Sequence, residues 1–98
     1  MKELENKIIN WAEQRGIFTY SDTKSQALKT VREVGEMCDN VLKGRDCRDD
    51  IGDIIVTLIL QCKMQGTTLS ECLELAFTEI SGRTGNMVNG AFVKDSDK

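Results

Sequence analysis

Four carboxylates stand in two pairs of matched spacing, Glu33/Glu36 and Asp50/Asp53, within the stretch "REVGEMCDNVLKGRDCRDDIGDIIVTLILQC". Residues three apart share one face of a helix, so each pair presents its two acids together. Four like charges that converge repel one another unless a cation neutralises them. The chain has no histidine, and oxygen donors suit a hard ion, Mg²⁺ or Mn²⁺, rather than zinc. An EF-hand does not fit, because "DCRDDIGD" lacks the spacing and the glycine of that loop. Without histidine the usual base of a nucleophilic triad is also missing, so any chemistry falls to carboxylates and a metal.

The elements that must position these acids are helical. Leu4, Ile8, Trp11 and Ala12 fall at helical spacing, and Gly16 closes that first helix. "FTYSDT" reads as a loop. Thr23 and Gln26 fit a capping box that starts a second helix, on which Ala27, Val31, Val34, Cys38 and Val41 form an apolar stripe. Glu33 and Glu36 lie opposite that stripe with Lys29 and Gln26, and taken alone this is an ordinary solvated face. Gly44 ends the second helix, and Asp46 is a good N-cap for a third that runs to Met64, with Gly66 closing it.

The third helix changes the reading. Ile51, Ile55, Val56, Leu58, Ile59 and Leu60 cover most of its wheel, leaving one polar strip of Asp50, Asp53, Thr57 and Gln61. A helix apolar nearly all round is buried, and a buried carboxylate must be paired or bound to a metal. The strip could also be the one exposed edge of the helix. Antiparallel packing across the Gly44-Arg45 turn sets Glu36 opposite Asp53, with Asp50 one turn nearer the loop and Glu33 one turn further away. Thr68 and Glu71 form a further capping box, followed by Leu69, Leu73, Ala76 and Ile80 on a fourth amphipathic helix. "VNGAFV" reads as a hairpin with Asn89-Gly90 in a type I′ turn. A lone hairpin is marginal in water, so it should dock on the helices or on a neighbouring chain.

Composition bounds the rest. Ninety-eight residues suggest one domain, residues 1–98. A net charge of −3 without a basic block argues against nucleic acid as a partner. No long apolar run argues against a membrane, and "MKELENKIINW" lacks a signal-peptide core, so the expected location is cytoplasmic. Cys38, Cys47, Cys62 and Cys72 match no zinc spacing and read as free thiols, three of them on core faces.

Four blocks in order then carry a resemblance: "WAEQRGI", "QALK", "KTVREVGEM" followed by "DDIGDIIVTLI", and "RTGNMVNGAFVK". Over almost the whole chain the sequence resembles the MazG-like, all-α nucleoside triphosphate pyrophosphohydrolases, with their EExxE…ExxD signature, and in particular the short phage and bacterial type. The resemblance implies an all-α four-helix bundle with a short C-terminal β-hairpin, working as a homodimer or a dimer of dimers. It implies Mg²⁺-dependent hydrolysis of ribo- or deoxyribonucleoside triphosphates to the monophosphate and pyrophosphate, as nucleotide-pool housekeeping. Glu33, Glu36, Asp50 and Asp53 fall on the family's metal-binding and catalytic positions.

Lys29, one turn before Glu33, is a candidate phosphate contact, or else a solvated lysine. Gln26, Trp11, Arg83, Asn89 and Lys94 are weaker candidates for substrate contacts. For three of these a plain alternative stands beside the functional one: Trp11 as core, Gln26 as a cap and Asn89 as a turn residue. Two positions depart from the signature, since Arg32 replaces its first glutamate and Asp50 the glutamate of ExxD. Arg32 inverts a charge beside the site, points outward, or grips a phosphate. The competing readings are a nucleotide-binding relative with weakened catalysis, and a structural or regulatory helical oligomer. Base and sugar preference are not legible.

Overall fold

The computed structural model describes residues 1–95. Five helices precede one hairpin: α1 (Lys2–Gln14), α2 (Ile17–Tyr20), α3 (Thr23–Leu42), α4 (Arg48–Met64), α5 (Leu69–Ser81), β1 (Gly85–Val88) and β2 (Ala91–Lys94). The fold is therefore all-α with a small antiparallel appendage. Among the described residues no helix is long and apolar enough to cross a membrane.

Local chemistry accounts for most boundaries. Gly16 takes a left-handed conformation, with φ of 74°, and ends α1. "FTYSDT" contributes to a single helical turn rather than a plain loop, because the Gly16 carbonyl accepts from both Thr19 and Tyr20 N–H. Asp22, rather than Thr23, caps α3: its Oδ1 accepts from Ser25 N–H at 2.7 Å. The Gln26 side chain is thereby released from capping. α4 starts at Arg48, and Asp46 acts just outside it by accepting from Arg48 N–H at 3.0 Å. Thr68 caps α5 as expected, accepting from Glu71 N–H at 3.1 Å. The Glu71 carboxylate turns to the Thr67 hydroxyl at 2.6 Å instead of closing the box. In the hairpin Val88 pairs with Ala91, and Asn89 and Gly90 both have positive φ, as a type I′ turn requires.

α4 lies between α3 and α1, with α2 folded against α1. Its apolar residues Ile59 and Leu60 are almost fully buried, beside Ala12 of α1. The polar strip of α4 faces α3, and α3 answers with its own polar side. The Thr30 and Thr57 hydroxyls meet at 2.8 Å, and Thr57 donates to the Ile54 carbonyl at 2.6 Å. Gln61 Nε2 donates to the Thr23 carbonyl at 3.0 Å, and Asn40 Nδ2 to Asp50 Oδ2 at 2.8 Å.

This inverts the expectation for α3. Gln26 and Glu33 are buried and Thr30, Met37 and Asn40 half-buried, while Val31, Val34, Cys38 and Val41 of the apolar stripe are exposed. The reason is that α4 has one polar strip and spends its apolar surface on α1. Buried polar groups are tolerated where they find partners, and the facing strips supply them for Thr30, Asn40, Asp50, Thr57 and Gln61. Three of the four thiols are expected on core faces, but only Cys62 is buried; Cys47 is half-buried, and Cys38 and Cys72 are exposed.

α5 touches α4 near its root and is then exposed along its length, as is most of the hairpin, which does not dock firmly on the helices. Gly85, where β1 begins, admits no side chain, since a Cβ there would collide with the Val93 carbonyl and the Phe92 ring. The molecule is elongated: its radius of gyration is 16.4 Å, against about 13 Å for a compact domain of this length.

Candidate functional site

The facing polar strips do not close completely. Between them and α1 lies a cavity of about 210 Å³ lined by Trp11, Gln26, Lys29, Glu33, Asp53, Val56, Thr57 and Leu60. Five of the candidate residues named from sequence thus meet in one place: Trp11, Gln26, Lys29, Glu33 and Asp53. Trp11 is neither core nor fully exposed but forms part of the wall, with the Arg15 guanidinium 5.0 Å from its ring centre.

Gln26 is the telling member. It is 4 % exposed, yet its side-chain Nε2 has no hydrogen-bond partner. A buried donor left unpaired costs about 1–3 kcal/mol, which a hydrogen-bond acceptor entering the cavity would offset. Asp53 carries a second strain. Its pKa is raised above the ordinary carboxylate value, first by desolvation, then by the negative charges of Asp49, Glu33 and Asp50; Lys29 opposes the shift. A cation or a proton beside Asp53 relieves that repulsion.

The remaining candidates divide. Asp50 is buried but committed to Asn40, and Glu36 is exposed. Among the described residues no three of His, Cys, Asp and Glu stand together so as to hold a metal ion. The donor chemistry of Glu33 and Asp53 still fits a hard divalent cation, as oxygen ligands on one small cavity. The four-carboxylate set that the resemblance implies is not assembled. Arg83 is paired with Glu79 at 2.7 Å, Asn89 forms the hairpin turn, and Lys94 lies in β2. None of the three lines the cavity.

Two neighbouring hollows share walls with it. On one side, Lys29 also borders an open surface depression of about 380 Å³ with Ser25, Leu28 and Arg32. On the other, Asp53 and Val56 also border a cleft of about 430 Å³ between α1 and α4, with apolar walls from Leu4, Ile8, Ile55 and Ile59 and the charged Glu5, Arg48 and Asp49.

Sequence reasoning missed two contributors. Asp49 bears on Asp53 through the i, i+4 spacing of "DDIGD", a signal that was available. Asn40, which occupies Asp50, had no signal in its own type or spacing.

No family model matches the chain, and no solved structure matches it either. A relative is found in Haemophilus phage HP1 (strain HP1c1), an "Uncharacterized 18.2 kDa protein in rep-hol intergenic region". It is 32% identical over 65 residues, which are 64% of this chain and 40% of that protein. The chain therefore spans well under half the length of the relative it matches.

Proposed function

We propose that this chain is a MazG-like nucleoside triphosphate pyrophosphohydrolase, dependent on Mg²⁺ or Mn²⁺ and releasing pyrophosphate from ribo- or deoxyribonucleotides. The observation that carries the reading is the unpartnered Gln26 Nε2 in a cavity shared with Lys29, Glu33 and Asp53. A cavity of about 210 Å³ is smaller than the roughly 300–1,000 Å³ of sites that enclose a whole small ligand. It suits the reacting phosphate of a nucleotide, with the rest of the molecule in the adjoining hollows.

In that arrangement the apolar cleft between α1 and α4 takes the nucleoside, and Glu33 and Asp53 hold the ion. Lys29 and Arg32 then face the departing pyrophosphate, whose charge they complement. Gln26 Nε2 donates to a phosphate oxygen. When bound, the divalent ion neutralises phosphate charge and lowers the pKa of its water. Arg32 thus serves the substrate where the signature has a glutamate.

Pyrophosphate release from a panel of ribo- and deoxyribonucleoside triphosphates, with and without Mg²⁺, tests the reading. The expected outcome is metal-dependent release that Asp53→Asn abolishes and Gln26→Leu reduces by on the order of 10²-fold. No release from any nucleotide overturns it. One observation favours a second reading, a nucleotide-binding relative with weak turnover: Asn40 holds Asp50 away from the cavity. Tight triphosphate binding without pyrophosphate release distinguishes that case.

A second copy of the chain completes the proposal. Exposed surface is 7504 Å², against about 5,600 Å² for a compact monomer of 11.0 kDa. The excess, about 1,900 Å² per chain, is of the size that permanent dimers bury. The apolar faces of α3 and α5 are where that burial falls. Light scattering showing a stable monomer refutes the association.

A further inference from the structure

Away from the cavity, two thiols face each other across the junction of α4 and α5. Cys62 lies two residues before the end of α4, and Cys72 is in the first turn of α5; their sulfurs are 3.8 Å apart. We propose that Cys62 and Cys72 are a dithiol modification site, oxidised by a low-molecular-weight disulfide to a bond that locks α5 onto α4. The inference is independent of the nucleotide reading.

The geometry is close to what a bond needs. A disulfide holds its sulfurs about 2.05 Å apart, so the pair must close by about 1.8 Å. Hydrogen bonds from backbone N–H groups tie the loop to the end of α4 and the start of α5 to α1. Thr67 N–H donates to the Cys62 carbonyl at 2.9 Å, and Leu69 N–H to Glu5 Oε1 at 3.3 Å. Beyond this root α5 is exposed throughout, so a link at residues 62 and 72 fixes the direction of the whole arm. A metal does not explain the pair, because no third ligand accompanies the two thiols among the described residues.

The two thiols have different roles. Cys72 is exposed and meets the oxidant, while Cys62 is buried. Burial, the Cys72 contact and the nearby Glu5 and Glu71 charges push the Cys62 thiol up to about 11, which keeps it protonated until the second step. The Cys72 thiolate attacks one sulfur of the disulfide RSSR, forming Cys72–S–SR and releasing one RS⁻, which takes up the proton Cys72 lost. Cys62 then loses its proton and attacks the Cys72 sulfur, expelling the second RS⁻, which takes up that proton. Two thiols and RSSR become one protein disulfide and two RSH; the protein gives up two electrons and the oxidant gains them.

Oxidised glutathione is the probe. It is added to the full chain carrying Cys38→Ser and Cys47→Ser, and in parallel to the wild-type chain in case that double variant is unstable. Intact mass should fall by about 2 Da in the variant, as two hydrogens leave, and peptide mapping should join residues 62 and 72 in both chains. Adding Cys62→Ser should halt the reaction at a glutathione adduct on Cys72, and adding Cys72→Ser should leave Cys62 unmodified. Hydrogen exchange in α5 should slow several-fold on oxidation and recover with a reducing thiol. A persistent glutathione adduct with Cys62 still free, a cross-link between chains, or no reaction overturns the site. Unchanged exchange in a mapped Cys62–Cys72 disulfide overturns the locking.

Discussion

The α3–α4 pair and the α5–hairpin arm use their side chains in opposite ways. Between α3 and α4 the polar groups are inside: Thr30 on Thr57, Asn40 on Asp50, Gln61 on the Thr23 carbonyl. In the arm the apolar groups are outside, with Leu75, Phe77, Met87 and Phe92 exposed. Satisfied buried polar groups specify one register between two helices, because a slip by one turn leaves each of them unpaired. Apolar groups left in water specify nothing within one chain and mark surface that association can cover. The first region therefore frames the cavity, and the second leaves apolar surface in water.

The comparison breaks most visibly at two leucines. Leu60 is 2 % exposed, and Leu60→Ala should cost about 2–5 kcal/mol in denaturant unfolding. Leu75 is 74 % exposed, and Leu75→Ala should change monomer stability by less than about 0.5 kcal/mol. If α5 is covered by a second copy, wild-type unfolding depends on protein concentration and Leu75→Ala lowers the midpoint by weakening the association. Next comes Asn40→Ala, which leaves the buried Asp50 carboxylate without its donor and should cost about 1–3 kcal/mol. If Asp50 serves the metal, Mg²⁺ should recover more stability in that variant than in wild type. A smaller effect belongs to Thr68→Ala, where loss of the α5 cap should cost about 1 kcal/mol.

The smallest effect is a pH dependence at Asp53. Its folded pKa lies above the ordinary 3.8, so ionisation is disfavoured in the fold. Without metal, its contribution rises as pH falls through the raised value and is complete below 3.8. Asp22 and Asp46 act oppositely: their pKa values are lowered by bonds to Ser25 and Arg48, so their stability is lost below 3.8. Subtracting the melting curve of Asp53→Asn from that of wild type isolates the Asp53 window, and Mg²⁺ should flatten it. A flat difference without metal would mean that neither desolvation nor the neighbouring charges perturb Asp53.

Local signals in the sequence were followed closely where the chain decides its own conformation. Gly16 stops α1, Thr68 caps α5, and Asn89-Gly90 turns the hairpin, because φ preference and short-range hydrogen bonds need no distant partner. The polar strip of α4 was also legible, since a single strip on an apolar helix stands out by composition. That Gln26, Lys29 and Glu33 share one face of α3 followed from spacing, but the antiparallel register set Glu36 opposite Asp53, whereas Glu33 shares the cavity with Asp53 and Glu36 is exposed.

What the sequence could not determine is which face of α3 turns inward. Its hydrophobic stripe and its polar side are equally periodic, and solvent-facing acids are the usual arrangement. The choice depends on α4, whose apolar surface is taken by α1 and whose polar strip can only be buried against hydrogen-bonding partners. The same long-range choice pairs Asp50 with Asn40, leaves Gln26 Nε2 unpartnered, and brings Cys62 within 3.8 Å of Cys72. Spacing along one helix fixes which residues share a face; only packing against another helix fixes what that face meets.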